Sequence, residues 1–120
     1  MNPLILIIIS IILGALGQIA LKSGANVFRE VSIEELLTKR LLALLTEKNI
    51  MLGVVLYGIS AVLWILALTK KELSYAYPLI GVGYILVVGF SILFLGEEVT
   101  WLRWLGVILI VIGVILVTRT

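Results

Sequence analysis

The sequence predicts an all-α integral membrane protein: four transmembrane helices plus a short amphipathic helix in the first loop. Three observations carry this. The 120 residues are 62% hydrophobic and only 13% charged. Ordinary soluble domains run about 45–50% apolar and about 25% charged, and so small a chain cannot hide this much apolar side chain from water. Four stretches approach the roughly 20 mostly apolar residues that cross a bilayer as a helix. Period-2 alternation is absent from runs such as Val107-Ile108-Leu109-Ile110-Val111-Ile112, which argues against barrel strands, the other way to satisfy a backbone in hydrocarbon. A disordered chain would need low hydrophobicity and high charge.

The first span, Pro3 to Leu21, carries no charge. It lacks a basic residue ahead of the apolar run and a small-x-small cleavage site after it, so a retained helix is expected rather than a signal peptide. Ser10, Gly14, Gln18 and Lys22 follow at intervals of four and wind along one helix face. Gln18 needs partners in a dry setting. It can bond a substrate headgroup, or a neighbouring helix as simple glue. Lys22 ends the span, where a lysine snorkels to the interface or meets an anionic headgroup.

The segment from Lys22 to Lys48 is the one sizeable loop. Ser32-Ile33-Glu34-Glu35 has the capping-box form. Leu36, Leu37, Leu41, Leu44 and Leu45 then recur at helical spacing. This predicts a single interfacial helix over about 32–46; the alternative is an extension of the second span into water.

The second span, Asn49 to Thr69, is uncharged and places Tyr57, Ser60, Ala61 and Trp64 on one face. An aromatic stripe of this kind packs a neighbour or lines a ligand site. The third span, over 73–95, opens on Tyr75-Ala76-Tyr77-Pro78. Pro78 removes a backbone donor and is expected to kink or loosen the first turns. Tyr75 suits an interfacial belt, whereas Tyr77 and Tyr84, one heptad apart, lie further in. The last span, about Trp101 to Val117, holds one charge, Arg103, in its first turn, and Thr100 is placed to cap it. Gly106 and Gly113 lie seven apart on an otherwise bulky helix. Lipid supplies no hydrophobic drive between helices, so such a groove predicts close packing between two subunits, with packing inside one chain as the alternative.

Chemistry is limited by what the chain lacks. Without Cys there are no disulfides or thiolates, and without His the commonest metal ligand and base near pH 7 is missing. No nucleophile–base pair, phosphate-binding glycine loop or metal cluster stands out, so neither enzyme activity, a cofactor nor a metal is expected. The nine basic residues are scattered and predict topology rather than nucleic-acid binding. Lys22, Arg29, Lys39, Arg40, Lys48 and Arg103 fall on one side of the membrane, against Lys70, Lys71 and Arg119 on the other. Glu30, Glu34, Glu35 and Glu47 dilute that bias, so it leaves both orientations open.

These residues resemble those of the small multidrug resistance proteins, within the drug/metabolite transporter superfamily. The shared features are Met1-Asn2-Pro3, Gly17, Lys22, Ala76-Tyr77 and the Gly106/Gly113 groove. In that family the glycine-bearing last helix builds an antiparallel dimer. The drug exporters carry a membrane-embedded glutamate in the first helix; the matching position here is Gly14. No acid lies inside any of the four spans. The tryptophan that follows the exporters' Ala-Tyr pair is missing too, with Ile80 near its place.

A second branch is more similar: the four-helix subunits that flip aminoarabinose-modified polyprenyl phosphate, and related small EamA proteins. The match rests on Gly17-Gln18 followed by Lys22, on Ala76-Tyr77-Pro78-Leu79, and on Gly96-Glu97 before the last span. The resemblance implies a flippase working as a dimer by alternating access in a prokaryotic plasma (inner) membrane. Its substrate would be an anionic lipid-linked sugar or polyprenyl phosphate. Gln18 and Lys22 would meet the headgroup, and Tyr57, Trp64, Tyr77 and Tyr84 would line the path. The partner would be a second copy or a related four-helix protein. An exporter of small organic cations that lost its acid, and a non-transporting accessory subunit, remain the alternative expectations.

Overall fold

The structure is a computed structural model that describes residues 2–120. Every regular element among the described residues is helical. Four helical segments are long and apolar enough to cross a bilayer: Pro3–Asn26, Lys48–Leu68, Leu73–Leu95 and Trp101–Thr118. The chain is a multi-pass membrane protein.

Helix α1 (Pro3–Asn26) begins on a polar cap, the Asn2 side chain accepting from the Leu4 N–H at 2.9 Å. It continues five residues past the expected end at Leu21, through Gly24, where the missing side chain makes room for Glu47 and Ile50. Its length of about 36 Å exceeds the hydrocarbon thickness, so its last turn stands in the headgroup region.

The first loop corrects the expectation of a single helix over 32–46. It holds two helices of six residues each, α2 (Ile33–Thr38) and α3 (Leu41–Thr46). Ser32 caps α2 as the sequence suggests, its Oγ accepting from the Glu35 N–H at 3.2 Å. The break comes where the Lys39 and Arg40 amides both donate to the Glu35 carbonyl, at 2.9 and 3.0 Å. That shared acceptor tightens the last turn of α2. The Arg40 guanidinium lies over the Phe28 ring, 5.8 Å from its centroid. Neither short helix buries a residue within the chain, which fits leucines facing lipid.

Helix α4 (Lys48–Leu68) is capped by Glu47, whose Oε2 accepts from the Asn49 and Ile50 amides at 2.8 and 3.0 Å. After a short turn come α5 (Leu73–Ala76), a 3₁₀ turn at Tyr77–Leu79 and α6 (Ile80–Leu95). Pro78 sits in that turn, where its ring and missing N–H replace a regular α-turn. Helix α6 stops at Gly96, whose φ of +67° lets the Gly96 and Glu97 amides turn back onto the Ser91 carbonyl. A side chain there would be strained. Helix α7 (Trp101–Thr118) starts from Thr100, whose hydroxyl accepts from the Arg103 N–H at 3.2 Å.

Packing is uneven. Helices α1 and α4 lie together along most of their length, and α6 packs on α1. Helices α1 and α4 approach glycine on glycine: a Cβ added at Gly53 would fall 2.8 Å from the Gly17 carbonyl oxygen. Gly83 similarly admits the Ile11 side chain. Helix α7 leans on α6 and the 3₁₀ turn, with Gly81 admitting Ile110 and Val114. The tightest core, Ile7, Ala67, Ala76, Leu79 and Val114, gathers where α1 starts and α4 and α7 end. Outward-facing leucines, isoleucines and valines cover the rest. In water this surface would invite aggregation; in hydrocarbon it is the ordinary exterior.

Candidate functional site

A cavity of about 360 Å³ opens between α1, α4, the 3₁₀ turn and α6. Five of the sequence-predicted residues line it. Gln18 comes from α1, Tyr57 and Trp64 from α4, Tyr77 from the 3₁₀ turn and Tyr84 from α6. Trp64 and Tyr77 meet edge to face, with centroids 6.4 Å apart and planes at 72°. This geometry suits the ring quadrupoles and ties α4 to the irregular start of the third span. Tyr57, Tyr77 and Tyr84 remain substantially exposed, so the cavity is open on one side.

Its inner wall is built by a pair the sequence did not reveal as one. Ser10 Oγ donates to the Ser60 carbonyl at 2.9 Å, and Ser60 Oγ donates to the Ser10 carbonyl at 2.8 Å. The two hydroxyls lie 3.1 Å apart. Both serines are buried, and the reciprocal bonds satisfy them without water. Each serine is legible on its own helix face; that the faces meet in register is not. Gly14 also lines the cavity, and a Cβ built there would lie 3.2 Å from Ser60 Oγ.

Lys22 stands apart from the other predicted residues. It is exposed and is not among the lining residues. It lies one turn beyond Gln18 on the same helix, about 6 Å along the axis. No lining residue of the cavity carries a formal charge. Its polar groups are the Gln18 amide, tyrosine hydroxyls, the Trp64 indole and the paired serines. Such a wall can stack on flat apolar faces and exchange hydrogen bonds with neutral groups. It offers no counter-ion to a buried charge. Among the described residues, no group of three His, Cys, Asp or Glu side chains could hold a metal ion.

Pro78 lies beside the cavity rather than in its wall, half-buried in the 3₁₀ turn. Gly106 and Gly113 do not line it, and beyond the adjoining residues and nearby backbone of α7 itself no atom comes within 4 Å of a Cβ built at either. The α7 groove is therefore unfilled within the chain.

Comparison with known proteins gives a consistent picture. The model of the EamA-like transporter family matches residues 1–119. The chain is 33% identical over 119 residues to the probable 4-amino-4-deoxy-L-arabinose-phosphoundecaprenol flippase subunit ArnE of Yersinia pseudotuberculosis, covering 98% of this chain and 97% of that protein. The protein of the same name from Yersinia pestis matches with the same identity and coverage. That from Pectobacterium atrosepticum is 34% identical over 112 residues, 93% of this chain and 94% of the relative. No solved structure matches the chain.

Proposed function

The chain belongs to the EamA-like transporter family, and from that premise we propose that it is a flippase subunit for a lipid-linked sugar or polyprenyl phosphate. The carrying observation is the uncharged, aromatic and amide-lined cavity with a cation, Lys22, one turn beyond Gln18 on the same helix. Its relatives over nearly the whole chain are named as flippase subunits for such a lipid. A phosphate is best held by a cation at the membrane interface, where charge is not fully desolvated. A neutral polar wall then carries the remainder of the headgroup. The reading is transport without covalent chemistry, in the plasma (inner) membrane of a prokaryote.

The transporter works as a dimer by alternating access, with a second copy or a related four-helix protein as partner. The unfilled groove at Gly106 and Gly113 supports this, because close approach of small residues is the usual basis of helix association in lipid. Pro78, at the irregular start of the third span, is the proposed flexing point. The first-loop helices border the side from which a prenyl tail leaves the protein.

The test is binding of polyprenyl phosphate to purified protein in lipid nanodiscs, compared with Lys22→Ala. Wild type is expected to bind and the variant to lose most of its affinity; equal binding would remove Lys22 from the site. Native mass spectrometry from membranes reports the oligomer and any retained lipid, and Gly106→Leu with Gly113→Leu is expected to leave monomers.

One observation favours a second reading, export of small organic cations: four aromatic rings line the cavity, and aromatic faces attract cations. Proton release on adding a quaternary ammonium compound would support it and count against the lipid. An accessory role is supported by the word subunit in the relatives' names. Lipid movement only when a second four-helix protein is present would establish it.

A further inference from the structure

We propose that the turn between α4 and α5, together with the end of α7, is a binding site for the headgroup of an anionic phospholipid of the surrounding bilayer. It is a different place from the cavity that Gln18 lines, and it stands whether or not the flippase reading does.

Charge comes first. Four spans in series sort the charged residues onto two membrane faces. On one face Lys22, Arg29, Lys39, Arg40, Lys48 and Arg103 are balanced by six glutamates: Glu30, Glu34, Glu35, Glu47, Glu97 and Glu98. The other face has Lys70, Lys71 and Arg119 against Glu72 alone. The whole net charge of +2 therefore lies on that second face. Basic side chains just outside a span attract anionic headgroups.

Shape comes second. Lys70 and Lys71 are exposed, yet they line a concavity of about 400 Å³ with Ser74 and Tyr75. The end of α7 closes it with Val117 and Thr120. The volume equals roughly thirteen waters at their share of liquid volume, room for a glycerol-phosphate headgroup of about ten heavy atoms. The Lys71 ammonium lies 5.0 Å from the centroid of the Tyr75 ring, a cation–π contact that holds one charge at the cavity wall. Ser74 adds a neutral donor. Glu72 is the one carboxylate side chain in the lining, so the two lysines leave it positive.

Depth comes third and selects the lipid over a free anion. The site lies where α4 and α7 leave the hydrocarbon, which is the level of bilayer phosphates. Tyr75 and Val117 are half-buried and make part of its wall apolar. Leu73, Ile112 and Leu116 face outward beside it, so the acyl chains of a bound lipid keep ordinary hydrocarbon contact. A free phosphate would have to be drawn from water onto exposed lysines, where salt screens the attraction. The consequence is mechanical. Helix α7 is the least buried of the four spans, and a headgroup held by both Lys70–Lys71 and the end of α7 ties it to α4. Such a ligand of the folded state stabilises it by mass action.

The experiment uses the full chain in phosphatidylcholine bicelles with a rising fraction of phosphatidylglycerol. Thermal unfolding is followed by tryptophan fluorescence for wild type and for Lys70→Gln with Lys71→Gln. The control, Arg29→Gln with Lys39→Gln, removes the same charge from the other face. Phosphatidylglycerol is expected to raise the midpoint of wild type and of the control alike. Loss of both Lys70 and Lys71 should weaken its binding about thirtyfold, as two lysines at an anionic surface imply, and abolish the rise. A rise that survives this loss, or that the control loses equally, overturns the site. A second measurement needs no variant: phosphatidylglycerol with a photoreactive headgroup should label wild type within 70–75 and 117–120. Equal labelling of the first loop overturns the site. Inorganic phosphate that reproduces the rise in pure phosphatidylcholine, with the same dependence on Lys70 and Lys71, would make this a free-anion site and overturn the lipid assignment. Farnesyl phosphate that displaces the photoreactive lipid at equal concentration would give the site to the transported substrate; the inference then falls while the flippase reading gains.

Discussion

Substituting Gly53 by alanine should loosen the α1–α4 seam by an amount the geometry sets. The added Cβ would sit 2.7 Å from Leu21 Cγ and 2.8 Å from the Gly17 carbonyl oxygen. Favourable carbon contacts lie near 3.5–4.0 Å, so the two helices must part by most of an ångström. The Leu21 side chain can turn away, but the Gly17 carbonyl belongs to a helix backbone and cannot. Overpacking of this kind costs about 1–3 kcal/mol. Removing a mid-helix glycine returns about 0.5–1 kcal/mol. The net loss is roughly 0.5–2 kcal/mol, a two- to thirtyfold shift in the unfolding equilibrium. Gly58 is the matched control: it lies on the same helix, and a Cβ there meets nothing within 4 Å. Gly58→Ala should keep the propensity gain and lose nothing. Steric trapping in bicelles measures both. Should Gly53→Ala prove as stable as Gly58→Ala, the glycine-on-glycine approach is not what joins these helices.

Three further outcomes follow from the same geometry. Ser10→Ala and Ser60→Ala should each cost near 0.6 kcal/mol and no more than about 1.7 kcal/mol, the range for hydrogen bonds between membrane helices, because each hydroxyl donates to a backbone carbonyl of the other helix; no cost from either substitution would deny the pair any stabilising role. Glu47→Ala should cost about 1 kcal/mol as a lost N-cap, with faster hydrogen exchange at Asn49 and Ile50, the amides that Glu47 holds; unchanged exchange there would exclude Glu47 as the cap. Gly14→Glu should place a carboxylate beside Ser60 and give the cavity an affinity for tetraphenylphosphonium that wild type lacks; wild-type binding of that cation at equal strength would favour the cation-export reading.

Four spans were legible because apolar length is a composition property that survives any packing. Caps were legible where a short polar side chain precedes a helix, as with Ser32 and Thr100. Glu47 was not, because a glutamate is an unusual cap and the boundary between α3 and α4 is a single residue wide. The break at Lys39–Arg40 was hidden too. Leucine spacing continues through it, and what ends α2 is a carbonyl receiving two amides, which no side-chain pattern encodes. Of the site, the polar faces of single helices could be read, and five of the six proposed contact residues do line one cavity. Their meeting depends on the rotation of α4 about α1, which Gly17 and Gly53 fix by contact. Two glycines on different spans carry no mark that they face each other.

The distribution of small residues divides the molecule into a closed half and an open one. Between α1 and α4, the glycines admit backbone and the serines bond across, so this seam is filled. On α7, Gly106 and Gly113 admit nothing, and the exposed tyrosines leave the cavity without a wall on one side. A polar cavity facing hydrocarbon directly would leave the Gln18 amide and the tyrosine hydroxyls poorly satisfied. Closing it requires another protein surface or a ligand headgroup. The proposed dimer and the proposed lipid headgroup therefore answer one physical demand, and they make a joint expectation. Occupancy by the lipid should weaken dimerisation, because either one covers the polar surface that drives the other. Native mass spectrometry with and without arabinosyl farnesyl phosphate measures this. A dimer fraction indifferent to the lipid would mean that the open side of the cavity and the groove on α7 belong to separate surfaces.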